Sequence, residues 1–168
     1  MSKLELGFST FYFLLVLVLF KCLKLAPISD TMLPVMIQRN STCPERSSLG
    51  SAAYDLAAAE DCLLTPGGTV RVNLTLQLAI PPGFYLQLFS RSGLAAQGVV
   101  TLGGVIDSDY RGSVQAILHN LGPTEMNIKT GQRVTSGVFL PCLTAAFQPV
   151  EVLPDSPRGT EGFGSSGQ

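Results

Sequence analysis

Gly104-Val105-Ile106-Asp107-Ser108-Asp109-Tyr110-Arg111-Gly112 is the stretch on which the reading of this chain turns. Apolar Val105 and Ile106 lead into two acids set two residues apart, Asp107 and Asp109. Tyr110 and Arg111 follow at once, and glycines close both ends. The pattern predicts a β-hairpin: strand, tight polar turn, returning strand. Such a hairpin offers backbone hydrogen-bonding groups, a carboxylate and an aromatic face to one small ligand. Taken alone, the same residues also read as a surface turn with solvated acids, since Asp and Gly are ordinary turn residues.

The flanking sequence is β-like on both sides. From Arg71 to Leu78 the residues alternate, with Val72, Leu74, Leu76 and Leu78 facing one way and Arg71, Asn73, Thr75 and Gln77 the other. This period of two predicts a half-buried strand. Pro81-Pro82-Gly83 marks a turn, and Phe84–Phe89, Val114–Leu118 and Val134–Leu140 read as further strands. No long amphipathic helix is evident. Short strands at near-even spacing, with 17 Gly and 11 Pro in 168 residues, predict an all-β barrel or jelly roll.

Composition narrows the function classes. A net charge of -1 argues against a nucleic-acid surface or a polybasic membrane patch. Cys22, Cys43, Cys62 and Cys142 have no C-x-x-C spacing, which speaks against a zinc site, and they are too scattered for a disulfide framework. They read as reduced, semi-buried thiols. His119 is the one histidine; it falls in a strand-like run and reads as structural, so a Ser-His-Asp or Cys-His mechanism has little support.

The N-terminus carries an apolar run, Phe11 to Phe20, followed by Lys21 and Lys24. It is shorter than the roughly 20 apolar residues of a comfortable membrane span and matches a signal-peptide core in length. Three readings stay open: a signal anchor, an uncleaved signal, or sequence upstream of a start at Met32 or Met36. The last is favoured because everything after Leu49 reads as a complete soluble domain. It implies a cytoplasmic or nuclear protein, whereas use of the run implies membrane association. Asn40-Ser41-Thr42 and Asn73-Leu74-Thr75 match the glycosylation sequon, which matters only in the secretory pathway. The expected organisation is an N-terminal extension over 1–31, a linker or arm over 32–47, a β-barrel over 48–157 and a glycine-rich tail over 158–168. By composition alone that tail would be taken as disordered.

Five segments then fall into a pattern: Ala53-Tyr54-Asp55-Leu56, Arg91-Ser92-Gly93-Leu94-Ala95, the opening stretch, Gly131-Gln132-Arg133-Val134, and Arg158-Gly159-Thr160-Glu161-Gly162-Phe163-Gly164-Ser165-Ser166-Gly167. In order and spacing they resemble the five motifs of the trimeric deoxyuridine triphosphatases (dUTPases), from about Ser48 to the C-terminus. The resemblance implies a jelly-roll β-barrel assembled as a homotrimer with a swapped C-terminal tail. Each site would then draw on three chains, and its Mg²⁺-dependent reaction would convert dUTP to dUMP and pyrophosphate.

The resemblance also assigns roles. Arg91, Ser92 and Gly93 resemble the grip on the α and β phosphates, where a charge, a hydroxyl and an accessible backbone suit an anion. Asp55 resembles the acid that holds Mg²⁺ through coordinated water; alone it would read as a helix or turn cap. Backbone groups at Gly104 and Ile106 would pair with the uracil edge and separate it from cytosine. Tyr110 would pack under the sugar and exclude a 2′-hydroxyl. Asp107 resembles the catalytic acid that orients and deprotonates the attacking water, while Asp109 and Arg111 would fix the turn and subunit contacts. Phe163 would stack on uracil, and Arg158, Gly164, Ser165 and Ser166 would close over the γ-phosphate as a lid. Arg133 reads as either structural or phosphate-neighbouring.

Several positions depart from the family pattern. Thr135, Ser136 and Gly137 stand where an alanine, a glutamine and an aliphatic residue are usual, and the missing glutamine bears on the rate. Ser90 replaces a frequent proline, and Ala53 a common glycine. Two rivals share the fold: a dCTP deaminase, and a non-enzymatic interaction protein built on this scaffold.

Overall fold

The structure is a computed structural model in which residues 32–160 are described. The apolar N-terminal run, Cys22, and the tail residues Phe163, Gly164, Ser165 and Ser166 lie outside the described residues. Eleven strands occur among the described residues: β1 (Met36–Ile37), β2 (Tyr54–Ala57), β3 (Cys62–Leu64), β4 (Thr69–Asn73), β5 (Leu78–Ala79), β6 (Phe84–Ser90), β7 (Val99–Leu102), β8 (Val105–Ile106), β9 (Gln115–Asn120), β10 (Met126–Ile128) and β11 (Arg133–Pro141). One four-residue helix, Ser92–Ala95, interrupts them. All pairings are antiparallel. A four-stranded sheet runs β2-β11-β6-β8 and a three-stranded sheet runs β4-β9-β7, with the pairs β1-β5 and β10-β3 at their margins.

Alternation along the strands builds the core. Leu56, Leu86, Leu88 and Val134 come from the larger sheet, and Val72, Val99, Ala116 and Leu118 from the smaller; all are buried in one cluster. Each buried Leu or Val among them contributes roughly 1.5–3 kcal/mol on burial. The one fully buried asparagine, Asn120, is satisfied: its amide donates to the carbonyls of Leu64 and Thr124, and its oxygen accepts the Gly122 N–H. At the foot of the β3–β10 pair, Asp61 accepts from Lys129 Nζ (2.8 Å), Thr130 N (2.8 Å) and Thr130 Oγ1 (2.9 Å).

Two local readings need correction. The strand expected over 71–78 is broken. Thr75 adopts φ +50°, because the Asn73 side chain captures its amide at 3.0 Å. Burial nevertheless keeps its period of two: Leu74 N donates to Val114 O, and Val114 N donates to Leu76 O, so the chain bulges at Thr75 without changing face. The expected hairpin is also more open than a strand, tight turn and returning strand. β7 and β9 form the paired arms, closing at Leu102 opposite Ile117. The chain between them makes an excursion in which β8 pairs instead with β6. A turn inside it is closed by Tyr110 N on Asp107 O at 3.2 Å.

The segment over 32–47 lies against the barrel. β1 pairs with β5, and Asp55 N donates to Glu45 O at 2.9 Å. Cys43, Cys62 and Cys142 are free, but only Cys62 is half-buried; Cys43 and Cys142 are exposed, contrary to the semi-buried expectation, because both lie in segments outside the core. His119 Nδ1 shares a hydrogen bond with Thr69 Oγ1 (2.9 Å) across the β4–β9 ladder. Beyond Cys142, whose N–H donates to Gly83 O, the described chain has no strand and is exposed. Among the described residues no helix is long and apolar enough to cross a membrane.

Candidate active site

β11 lies between β2 and β6, and this order gathers three distant motifs. Ser136 faces Asp55 across one ladder and Phe89 across the other. Asp55 therefore meets Arg91, which follows β6, and Arg133, which begins β11. Arg91 Nε donates to Asp55 Oδ1 at 3.0 Å, and Arg133 Nη1 donates to Asp55 Oδ2 at 3.0 Å. Arg91 Nη1 also donates to the Arg133 carbonyl at 2.9 Å. The Asp55 side chain is only 19% exposed, so two cations hold a carboxylate that is largely withdrawn from water. Arg91 is thus fixed through two of its three nitrogens. Its Nη2 has no hydrogen-bond partner among the described residues. Arg133, left above as structural or phosphate-neighbouring, is bonded to Asp55.

Arg91 caps the short helix in an extended conformation (φ -76°, ψ 132°), and Ser92 and Gly93 follow it at the surface. Adding a side chain at Gly93 would meet nothing within 4 Å, so its backbone is open to a ligand. Gly137 is different. A Cβ there would lie 2.9 Å from Leu86 Cδ1 and 3.2 Å from Leu56 Cδ1. Core leucines fill the space that an aliphatic residue would take, which accounts for this departure from the family pattern.

The second group of candidate residues sits at the edge strand. Gly104 has φ +95° and packs its Cα against Leu88, and its carbonyl accepts Leu88 N at 2.8 Å. A Cβ at this position would stand 2.8 Å from Leu88 Cβ and 3.1 Å from Leu88 O. Ile106 pairs with Leu86. Tyr110 is 44% exposed, and its hydroxyl donates to Ser113 O at 3.0 Å while the ring end lies where a Gly112 side chain would be. Arg111 Nη1 donates to the carbonyls of Ser108 (2.7 Å) and Tyr110 (2.9 Å), fixing the turn. Asp107 and Asp109 are exposed.

Among the described residues the two groups stand apart along β6. Among the described contacts, none joins the side chain of Asp107 or Tyr110 to Asp55, Arg91 or Ser92. β8 pairs with β6 at Leu86 and Gln87 and Gly104 bonds Leu88, so the stretch joins β6 two residues or more before Ser90, which at about 3.3 Å per residue is roughly 7 Å or more along the strand. Arg158 is exposed near the end of the described chain. The ion-pair arrangement around Asp55 was not legible in the sequence, because it depends on β11 entering between β2 and β6.

Comparison with known proteins bears on this geometry. Residues 39–167 match the dUTPase family model. The chain is 37% identical over 139 residues to the deoxyuridine 5'-triphosphate nucleotidohydrolase of Paramecium bursaria Chlorella virus 1, covering 82% of this chain and 99% of that one. It is 37% identical over 133 residues (79% of this chain) to the mitochondrial deoxyuridine 5'-triphosphate nucleotidohydrolase of Homo sapiens, and spans 53% of that relative's length. Among solved structures, the dUTPase of Staphylococcus bacteriophage 80alpha with dUPNHPP matches with a TM-score of 0.73 at 27% identity, over 82% of this chain and 99% of that one. The two-sheet antiparallel architecture, the order of the motif-bearing strands and a match across most of the sequence agree: this chain has the jelly-roll β fold and belongs to the dUTPase family.

Proposed function

We propose that the chain hydrolyses dUTP to dUMP and pyrophosphate, lowering the dUTP available for insertion into DNA and supplying dUMP for thymidylate synthesis. The observation that carries this is the convergence of Asp55, Arg91 and Arg133 at the start of β11, with the Gly104–Gly112 excursion on the same sheet. Arg91, held by Asp55, and Ser92 and Gly93 take the α and β phosphates. Gly104 and Ile106 offer main-chain groups to the uracil edge, and Tyr110 closes the sugar side. Asp107 accepts a proton from the water that attacks the α-phosphorus.

Mg²⁺ is the expected cofactor. Each Asp55 oxygen already accepts one guanidinium N–H, and no cluster of three or more His, Cys, Asp or Glu that could cage a metal occurs among the described residues. This donor set fits an ion held mainly by phosphate oxygens and waters, with Asp55 reaching it through water. Such an ion would neutralise charge developing on the phosphates.

The working unit is a homotrimer. The separation of the two residue groups within one chain supports it, and so does the exposed apolar series Leu143, Phe147, Val152 and Leu153 after Cys142, which needs a covering surface. A neighbouring copy supplies that surface, and the tail from Arg158 with Phe163, Gly164, Ser165 and Ser166 closes over a neighbour's nucleotide. The unit over 48–157, whose strands end at Pro141, and the lid over 158–168 are the corresponding parts.

Pyrophosphate release by protein starting at Met32, with dUTP against dCTP, dTTP and UTP, tests the reading. Release from dUTP alone is the expected result. A well-folded assembly that leaves dUTP intact would rule the hydrolase out in favour of a binding protein on this scaffold.

A further inference from the structure

Three hydroxyls meet where β6 hands over to Arg91. Ser90 and Thr135 are direct partners across the β6–β11 ladder. Thr135, fully buried, donates from Oγ1 to the Phe89 carbonyl at 2.8 Å and accepts from Thr101 Oγ1 at 3.2 Å. The Thr101 amide in turn donates to Ser90 Oγ at 2.8 Å. β7, which carries Thr101, pairs along its own ladder only with β9 in the other sheet. The hydroxyls therefore tie the larger sheet to the smaller one at a point where no backbone ladder does. They sit immediately before Arg91, the last residue of extended chain ahead of the short helix.

We infer that Ser90, Thr101 and Thr135 form a hydroxyl brace that sets the position of the Arg91-Ser92-Gly93 phosphate loop, making Thr135 and Ser90 positioning residues for nucleotide binding. The inference rests on the proposed dUTP reading. Serine leaves φ at the loop entrance free, so rigidity there must come from bonds rather than from a ring. Burial at Thr135 shields its hydroxyl from water, which strengthens the bonds it makes. Two departures from the family pattern, at 90 and 135, thus become one device: each side chain supplies a hydroxyl to the same junction, from opposite sides of one ladder.

The test compares wild type, Thr135→Val, Thr135→Ser and Ser90→Ala by calorimetric titration with a non-hydrolysable α,β-imido analogue of dUTP and by NMR titration with deoxyuridine, which has no phosphate. Thr135→Val keeps the volume but removes the hydroxyl. It should weaken analogue binding roughly tenfold, the size expected for disturbing a charge-assisted contact. Deoxyuridine affinity should stay within about twofold, and Thr135→Ser should behave as wild type. If Thr135→Val does not fold, Ser90→Ala carries the same expected split. Unchanged analogue affinity overturns the brace. So does a parallel loss of both ligands, which would mark a fold-wide effect. Wild type that binds the analogue without turning over dUTP sinks the hydrolase reading alone, and the affinity ratios still decide the brace. Wild type that binds neither ligand sinks both.

Discussion

Asp107 and Asp55 show how differently two acids can be used. Asp107 is exposed on the Gly104–Gly112 excursion, whereas Asp55 is held between two arginines. Asp107→Asn should bind the imido analogue within about threefold of wild type and lose at least ~10²-fold in kcat, the lower end for a general base. Turnover near the wild-type rate would place the base elsewhere. The sequence made Asp107 visible through its turn, but the Asp55 ion pairs arise from strands brought together over long sequence separations, which no local pattern states. Asp61 supplies a pH-dependent case. Hydrogen bonding from Lys129 first, then from the Thr130 backbone and hydroxyl, holds its carboxyl down from 3.8 to about 2. A folded value below the unfolded one stabilises the fold above about pH 4, and that contribution disappears as pH falls towards 2. Asp61→Asn should therefore lower the urea midpoint at pH 7, with the gap to wild type closing by pH 2.

At the scale of elements, alternation was a sound guide to burial and a poor one to continuity. Val72, Leu74, Leu76 and Leu78 are all buried as their spacing predicts, yet the strand stops because one side chain, Asn73, outcompetes the ladder for the Thr75 amide. The Gly104–Gly112 stretch carries the expected leading strand and turn but not the hairpin, because that strand pairs with β6 at the sheet edge rather than with its own return. Gly104 is a position where this packing tolerates little change. Its positive φ and the approach of Leu88 leave no room for a methyl group, so Gly104→Ala should cost about 1–3 kcal/mol, read as a shift in urea unfolding, and should also weaken deoxyuridine binding. Unaltered stability would mean that the Leu88 backbone yields easily.

For the whole molecule, the C-terminal segment is the feature that one chain leaves unfinished. Leu143 and Phe147 are each 94% exposed, on a stretch anchored by the Cys142 bond to Gly83. Composition suggested a flexible end only over 158–168; the apolar residues before it are exposed among the described residues, and local patterning did not state what they face. A chain ending before Arg158 should keep the assembly of the full-length protein in sedimentation and lose efficient dUTP hydrolysis; normal turnover would remove the lid from the account. The same exposed segment has a genetic corollary. In a trimer whose sites are each pieced together from several copies, a chain crippled at Asp107 and a chain without its last residues spoil different parts of each site. Mixed assemblies contain some sites built wholly from sound parts, so two alleles that are each dead alone can restore one another in the same cell.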